Sequence, residues 1–492
     1  MLGYEYYQRD NNYFRAENSG FGTDATHENN LGGGNAPKMS SSKDRRKDIS
    51  GFGRVDYSFD DKYLATVTLR RDGSSVFGGN NKYAYFPGVS VGWKIDKEDF
   101  MAGAADKVDI LKLRLGYGQS GNSGIDPYQS LSKYDMTTNG ILGQNKVSGA
   151  TLTNYMENPD LKWETTSQVN LGIDYGFFSR LSGNLDFFVK NTKDMLVQVS
   201  QSPMTGHKYQ WQNAASMRVW GLEYSLNSTN IQTRDFEWDT QLSFSWTDNK
   251  ITDYNVTDES TVAALNTIGV IKGERTNSYY TYVIDGIDPS SGSYRFKDLD
   301  GDGSITVKDK AILGTPDPRV ILGFGNTFKY KNFALDIFFN ANFGNKMYNY
   351  SAMNFTLPNT FETSNYMVDA MNYWSESNPN SDIAANRANG NDNALYNSRW
   401  IEDAWFIRLQ NVTLSYNLAS IPSLRKIFPT AKIYVQAQNL FLITPYSGLD
   451  PELANNAYMS SSENLPAFLP GSVDMNAYPP ARTFTVGLNF SF

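Results

Sequence analysis

Across residues 482–492 apolar and polar side chains alternate without a break. Phe484, Val486, Leu488, Phe490 and Phe492 share one face of an extended segment, and Thr485, Gly487, Asn489 and Ser491 share the other, because successive side chains of a strand point to opposite sides. The same period recurs upstream. Leu2, Tyr4 and Tyr6 predict a first strand, followed by a Gly/Asn-rich loop to about Ser42. Val55, Tyr57 and Phe59 predict a strand that turns at Asp60-Asp61 into a partner carrying Tyr63, Ala65, Val67 and Leu69. Val89, Val91, Trp93 and Ile95 oppose Ser90, Gly92 and Lys94, and Leu111, Leu113, Leu115 and Tyr117 alternate with Lys112, Arg114, Gly116 and Gly118.

Three further hairpins follow: residues 169–175 with 181–189, 220–226 with 238–246, and 322–328 with 333–339. Trp405, Ile407 and Leu409 then slip phase into Val412, Leu414, Tyr416 and Leu418, which predicts a β-bulge near Gln410-Asn411. Ile433, Val435, Ala437 and Phe441 form the penultimate strand. The pattern sums to about fourteen strands whose connections alternate between short turns and long polar loops, among them residues 121–163 and 250–318.

That combination predicts an all-β protein, an antiparallel transmembrane β-barrel with short periplasmic turns and long extracellular loops. Charged residues within the strands need water, so Arg70, Lys112, Arg114, Glu223, Asp239, Asp336 and Arg408 are expected to face a wet lumen. Parity runs the last strand from the cell surface to the periplasm. It is expected to be an unpaired edge, or to close on residues 2 to 7.

Composition agrees once the alternation is known. A mean hydropathy of -0.49 and a net charge of -8 are those of a soluble acidic protein, yet only every second residue of a barrel strand meets lipid. No apolar run reaches about 18 residues, which excludes transmembrane helices and leaves barrel strands open. Aromatic residues make up 14% of the chain, and they favour strands and membrane interfaces. No basic stripe stands out, so nucleic acid is not an expected partner.

The absence of cysteine excludes disulfides and thiolate metal sites, and two distant histidines, His27 and His207, make a histidine zinc or catalytic centre improbable. No carboxylate spacing suggests catalysis, and no enzyme is expected. Residues 1–492 read as one continuous β unit. The first residues lack a basic and apolar export signal, so the chain is expected to be the C-terminal part of a longer protein.

Several local sequences occur in a fixed order: Arg71 to Gly78, Tyr85-Phe86-Pro87, Trp93-Lys94-Ile95 with Glu98 to Met101, Leu111 to Arg114 with Gly116 to Asn122, Trp163-Glu164-Thr165, Tyr446 to Glu452, and Tyr478 to Thr483. From about residue 63 to the end they resemble the SusC/RagA-like TonB-dependent outer-membrane transporters. The resemblance implies a barrel of about 22 strands in the outer membrane of a Gram-negative cell. It also implies an N-terminal plug that the lumen charges from Arg70 to Arg408 would contact, energisation through the TonB complex, and a SusD-like surface lipoprotein that captures glycans, peptides or other nutrients. The plug and TonB box have no counterpart in this sequence, and about eight strands are unaccounted for. Without them energised transport is not expected of this portion alone.

Two groups of residues carry candidate chemistry. Asp298, Asp300, Asp302, Ser304 and Asp309, with Gly301 at the sixth position, match the spacing of a calcium loop. An Asp where a bidentate Glu is usual, and the lack of a flanking helix pair, leave an Asp/Gly turn with solvated carboxylates equally open. No cofactor is required by this reading. The loop aromatics Tyr209, Trp211, Tyr279, Tyr280, Tyr282, Tyr348, Tyr350, Trp374 and Trp400 are candidates for stacking on sugars or packing on the lipoprotein, against loops packing on one another. The rival readings are a passive porin or another TonB-dependent receptor, and a secreted calcium-dependent carbohydrate-binding β protein.

Overall fold

The computed structural model describes residues 1–25, 27–142, 145–152, 154–254, 256, 258–357, 365–385, 396–452, 473–475 and 478–491. Fourteen long strands form one antiparallel sheet in which each pairs with its neighbours in sequence. They are β1 (Leu2–Glu17), β2 (Lys38–Phe59), β3 (Tyr63–Ser74), β4 (Tyr83–Lys94), β5 (Val108–Asn122), β6 (Glu164–Phe177) and β7 (Leu181–Ser200). Then come β8 (Tyr209–Gln232), β9 (Phe236–Tyr254), β10 (Val320–Tyr330), β11 (Phe333–Phe343), β12 (Phe406–Asn417), β13 (Thr430–Ile443) and β14 (Thr483–Ser491). Among the described residues β1 pairs only with β2 and β14 only with β13, so the sheet is open. Phe492 lies outside the described residues.

The hairpins form where turn chemistry allows. Asp60 and Asp61 have φ of 52° and 49°, and Phe178 and Ser179 have 58° and 53°. Paired left-handed residues make the type I′ turn whose twist suits two strands. The bulge is where the phase slip puts it: Phe338 opposes Asn411 and Phe339 opposes Leu409, leaving Gln410 without a counterpart on β11. That extra residue lets Leu409 and Val412 both stay on the apolar side.

One face of the sheet is apolar and exposed, with Val55, Tyr57, Val67, Leu69, Val89, Val91, Leu115, Leu171, Phe187, Leu414, Val435 and Val486 all on it. The other carries Thr66, Ser90, Arg114, Asn170, Asp186 and Gln436. Exposed Val67 and Leu171 would be costly in water, and a lipid-facing wall removes that cost. No described helix is long and apolar enough to cross a membrane.

Several strands run further than the alternation predicts. β2 starts at Lys38, inside the expected loop, and β8 starts at Tyr209 and has 24 residues. A strand needs about 9–11 residues to cross the hydrocarbon, so the excess stands above it, where both faces are wet and no alternation is selected. Ile95 is not in a strand but opens the 3-10 turn Ile95–Lys97. The long loops also hold structure: a hairpin of Tyr134–Leu142 with Asn145–Leu152, and helices Glu259–Thr267 and Tyr350–Thr356.

Candidate functional site: the lumen wall and the loop platform

The inward charges of β5 to β7 form a ladder. Arg114 Nε donates to both Asp174 oxygens at 3.0 Å, and its NH2 reaches Asp186 Oδ2 at 2.9 Å. Arg114 and Asp186 sit on either side of Gly172 in the register. A Cβ at Gly172 would lie 2.4 Å from Asp186 Oδ1 and 2.7 Å from Arg114 Cζ. Glycine therefore lets the guanidinium cross a strand. Lys112 lies 4.0 Å from Asp174, and Asn184 donates to Asp186 at 2.8 Å. Asp186 Oδ1 is buried and has no hydrogen-bond partner among the described residues.

The other expected lumen residues occupy the same face. Arg70 pairs with Asp72 at 2.6 Å and reaches Glu5 at 3.2 Å. Asp239 accepts from Thr229 at 2.8 Å and Asp336 from Thr327 at 2.7 Å. Glu223 is exposed, opposite Asp186, and forms no salt bridge among the described residues. Arg408 points inward too, but the chain's own Asp450 and Glu452 take its guanidinium at 2.7 and 3.1 Å. Burial raises the Glu452 carboxyl above its ordinary range, while the Arg408 charge opposes the rise. Asp174, Asp186 and Asp450 are partners that the spacing alone does not single out; their strand phase or motif position is the signal.

Above the sheet, three long loops share a core. Tyr279, Tyr294, Tyr348, Tyr350, Met353, Leu357, Ile383, Trp400, Ile401 and Val473 pack together out of solvent. Lys346–Asn349 pairs with Ile401–Asp403 on one side and Val473–Asp474 on the other, so loops far apart in sequence are stitched by backbone. Tyr446 donates to Asp474 at 2.7 Å, and burial with that carboxylate pushes its hydroxyl well up. Among the candidate aromatics, Tyr279, Tyr282, Tyr348, Tyr350 and Trp400 are buried in this way, so none of them offers a ring on the described surface.

Tyr209 and Trp211 are not loop residues but belong to the first rungs of β8. Tyr209 is exposed and stands 6.1 Å from Tyr155, and Trp211 packs half-buried against a second core. Tyr280 is half-buried on a short strand, with the Lys310 ammonium 5.8 Å from its ring. Trp374 is half-buried, with Gly292 against its ring.

The second core gathers segments scattered through the sequence. Val76 and Phe77 meet Phe86, Ile125, Leu161 and Trp163. Phe77 and Trp163 rings lie 4.8 Å apart, and Trp163 Nε1 donates to Lys82 O at 3.0 Å. A Cβ at Gly78 would fall 2.0 Å from the Pro159 carbonyl oxygen. Three of the ordered local motifs, Arg71 to Gly78, Tyr85-Phe86-Pro87 and Trp163-Glu164-Thr165, thus converge on one joint that anchors the loops above β3 to β6.

In the Asp-rich loop the carboxylate oxygens of Asp298, Asp300 and Asp302 lie within 4.8 Å of one another. Asp298 accepts from Gly301 and Gly303 N–H at 2.6 and 2.8 Å, Asp300 from Asp302 at 3.3 Å, and Asp302 from Ser304 at 2.8 Å. Gly301 and Gly303 have φ of 76° and 82°, open to glycine. Asp309 is buried with one oxygen on Leu299 N–H at 2.7 Å and the other on Thr306 N–H at 2.7 Å. Those donors hold its carboxyl below the ordinary range. Asp309 is therefore a brace within the loop, and the first three carboxylates are the ones free to hold a cation.

The family model described as "TonB dependent receptor-like, beta-barrel" matches residues 2–440. The chain belongs to that family. It is 33% identical, over its whole length, to TonB-dependent receptor P3 of Formosa agariphila, covering 50% of that relative. With TonB-dependent receptor SusC of Bacteroides thetaiotaomicron it shares 30% identity over 90% of its own length and 44% of the relative's. Among solved structures, the RagAB peptide transporter superposes with a TM-score of 0.80 at 26% identity, covering 100% of this chain and 53% of that one. The chain thus spans about half the length of the relatives it matches. It is a SusC-like, outer-membrane β-barrel protein of the transporter family, with the sheet as its wall.

Proposed function

We propose that residues 1–492 are the C-terminal barrel portion of a SusC-like importer that takes up glycans, peptides or similar nutrients through TonB, beneath a SusD-like lipoprotein. The observation that carries the reading is the two-faced sheet, apolar outside and charged inside, topped by a joint loop platform. The similarity to SusC and to the RagAB peptide transporter supports the lipoprotein and the nutrient class. The chain's coverage of about half the relatives' length supports a plug and further strands in the other half.

The test uses the full-length protein in its own cells. Affinity purification is expected to bring down one surface lipoprotein, and uptake is expected to stop when the proton gradient is collapsed. A barrel that purifies alone and passes solutes without the gradient would be a passive porin instead. A Ca²⁺ ion on Asp298, Asp300 and Asp302, in a loop that Asp309 braces from within, is a companion proposal supported by the spacing of the three carboxylates. Calorimetry with CaCl2 is expected to show a binding heat that Asp300→Ala abolishes; the absence of heat in the unaltered protein overturns it.

A further inference from the structure

We infer that the outward face of β2 to β4, at its extracellular end, binds the phosphorylated headgroup of an outer-leaflet glycolipid. The residues that build this place have no part in the lumen wall or the loop platform. On the outward face the lower rungs of these strands are apolar: Val55, Val67, Leu69, Val89 and Val91. On the next outward rung the character changes. Arg71 lies opposite Gly51 on one side and Tyr85 on the other, and the next rung holds Ile49, Gly73 and Tyr83. The Arg71 guanidinium stacks 4.2 Å from the Tyr83 ring and 5.8 Å from the Tyr85 ring. Above that rung the outward positions of β2 are Lys47, Arg45 and Lys43, all exposed.

Asp10 is the acid beside these cations on the outward face, and they outnumber it. Arg45 is paired with Asp10 at 2.5 Å. Lys43, Lys47 and Arg71 form no salt bridge among the described residues, and the acidic neighbours Asp44, Asp48 and Asp72 are on the opposite face of the strands. Arg71 and Lys47 therefore stand above a lipid-facing band, with Lys43 further up the same face of β2. Lys47 is four residues from Gly51, the partner of Arg71, a spacing of about 13 Å along the strand. Two flexible cationic arms at that separation can each reach a different phosphate of one headgroup. A cation stacked on aromatic rings is held in place at the interface.

The floor of the patch is also open. A Cβ at Gly51 would meet nothing within 4 Å, and the notch lies between Tyr4 on β1 and Arg71 on β3. An acyl chain rising from the apolar band below ends in that notch, which puts its headgroup between Arg71 and Lys47. Free phosphate would use the cations but not the notch. A neutral lipid would use the notch but not the cations. Only an anionic amphiphile uses both, and in this leaflet that is a phosphorylated glycolipid.

The test uses the full-length barrel in detergent, with lipid A as the probe, and native mass spectrometry to count bound lipid. Bisphosphorylated lipid A is expected to bind the unaltered protein at least tenfold more tightly than the Lys43→Gln/Lys47→Gln/Arg71→Gln variant. Dephosphorylated lipid A is expected to bind both equally weakly, and millimolar inorganic phosphate to leave binding unchanged. Gly51→Leu, which keeps every charge and fills the notch, is expected to weaken lipid binding as well. Lys308→Gln, in a distant exposed loop, serves as the charge control. Heat-modifiable migration on gels shows that each variant is folded. Equal binding of lipid A to the triple variant and the unaltered protein overturns the site. So does full competition by phosphate, which would leave only a free-anion site.

Discussion

The Arg408 guanidinium donates to both carboxylate oxygens of Asp450, at 2.7 and 2.8 Å, and the two side chains are 5% and 4% exposed. This closed pair ties the loop after β13 to the inner face of β12. It also explains why an arginine expected to meet a plug does not need one: the residue that neutralises it lies in the same chain, in the motif from Tyr446 to Glu452.

Asp450→Ala should leave the buried guanidinium with Glu452, at 3.1 Å, as its remaining carboxylate, a loss below the about 3–5 kcal/mol of a buried charge left with no partner. Hydrogen exchange is expected to rise across residues 444–452 before it rises in β12. Arg408→Met combined with Asp450→Leu should recover much of the loss, since an apolar pair replaces the charges. Equal exchange in the single variant and the unaltered protein would show that the pair does not hold the loop.

Gly172→Ala is predicted to push the Arg114 and Asp186 side chains apart and so open the lumen ladder. Gly172→Ala puts a methyl 2.4 Å from Asp186 Oδ1, whereas a methyl at Gly118, on the same wall, would meet nothing within 4 Å. Thermal unfolding of the full-length protein should therefore drop clearly for Gly172→Ala. For Gly118→Ala it should stay within about 0.5 kcal/mol.

Trp163→Ala empties the joint that gathers Val76, Phe77, Phe86, Ile125 and Leu161. A buried Trp lost from such a core costs about 3–5 kcal/mol. Limited proteolysis should cut within residues 75–82 and 158–163 in the variant at protease levels that leave the parent intact. Unchanged cleavage would mean that the loops are held elsewhere.

The Asp309 carboxyl sits below its ordinary pKa because backbone N–H groups of Thr306, Leu299 and Asp300 bind its charged form. Its folded pKa is thus lower than its unfolded one, so its contribution is complete above the unfolded value of about 3.9. It is lost as pH falls through the folded value. Hydrogen exchange at residues 299–306 is expected to be slow at pH 6 and to speed up only in strongly acid buffer. In Asp309→Asn it should already be fast at pH 6.

What could be read from the sequence, and what could not, follows from where selection for alternation acts. Val67, Leu171 and Phe484 meet lipid on every turn of the pattern, so their strands, their pairing and even the bulge at Gln410 are written into the spacing. Above the hydrocarbon both faces of a strand are wet. Lys38–Ser42 and Tyr209–Gln212 therefore carry no period and read as loop, although they are strand. The loop platform was hidden for another reason. Tyr279, Tyr348 and Trp400 come together only through contacts between distant segments, and an aromatic in a polar loop looks the same before packing whether it ends buried or exposed. Arg114 could be assigned to the inner face by phase, but its bond to Asp186 across Gly172 needs the register of three strands at once.

The central claim is that this sheet is a membrane wall with its odd-numbered β3 residues toward lipid. Because the chain has no cysteine, single cysteines at positions 64 to 70 of the full-length protein can each carry one spin label. In reconstituted membranes, collision with dissolved oxygen is expected to be high at 65, 67 and 69 and low at 64, 66 and 68. Collision that does not alternate, or that peaks at the even positions, would contradict the wall and everything built on its two faces.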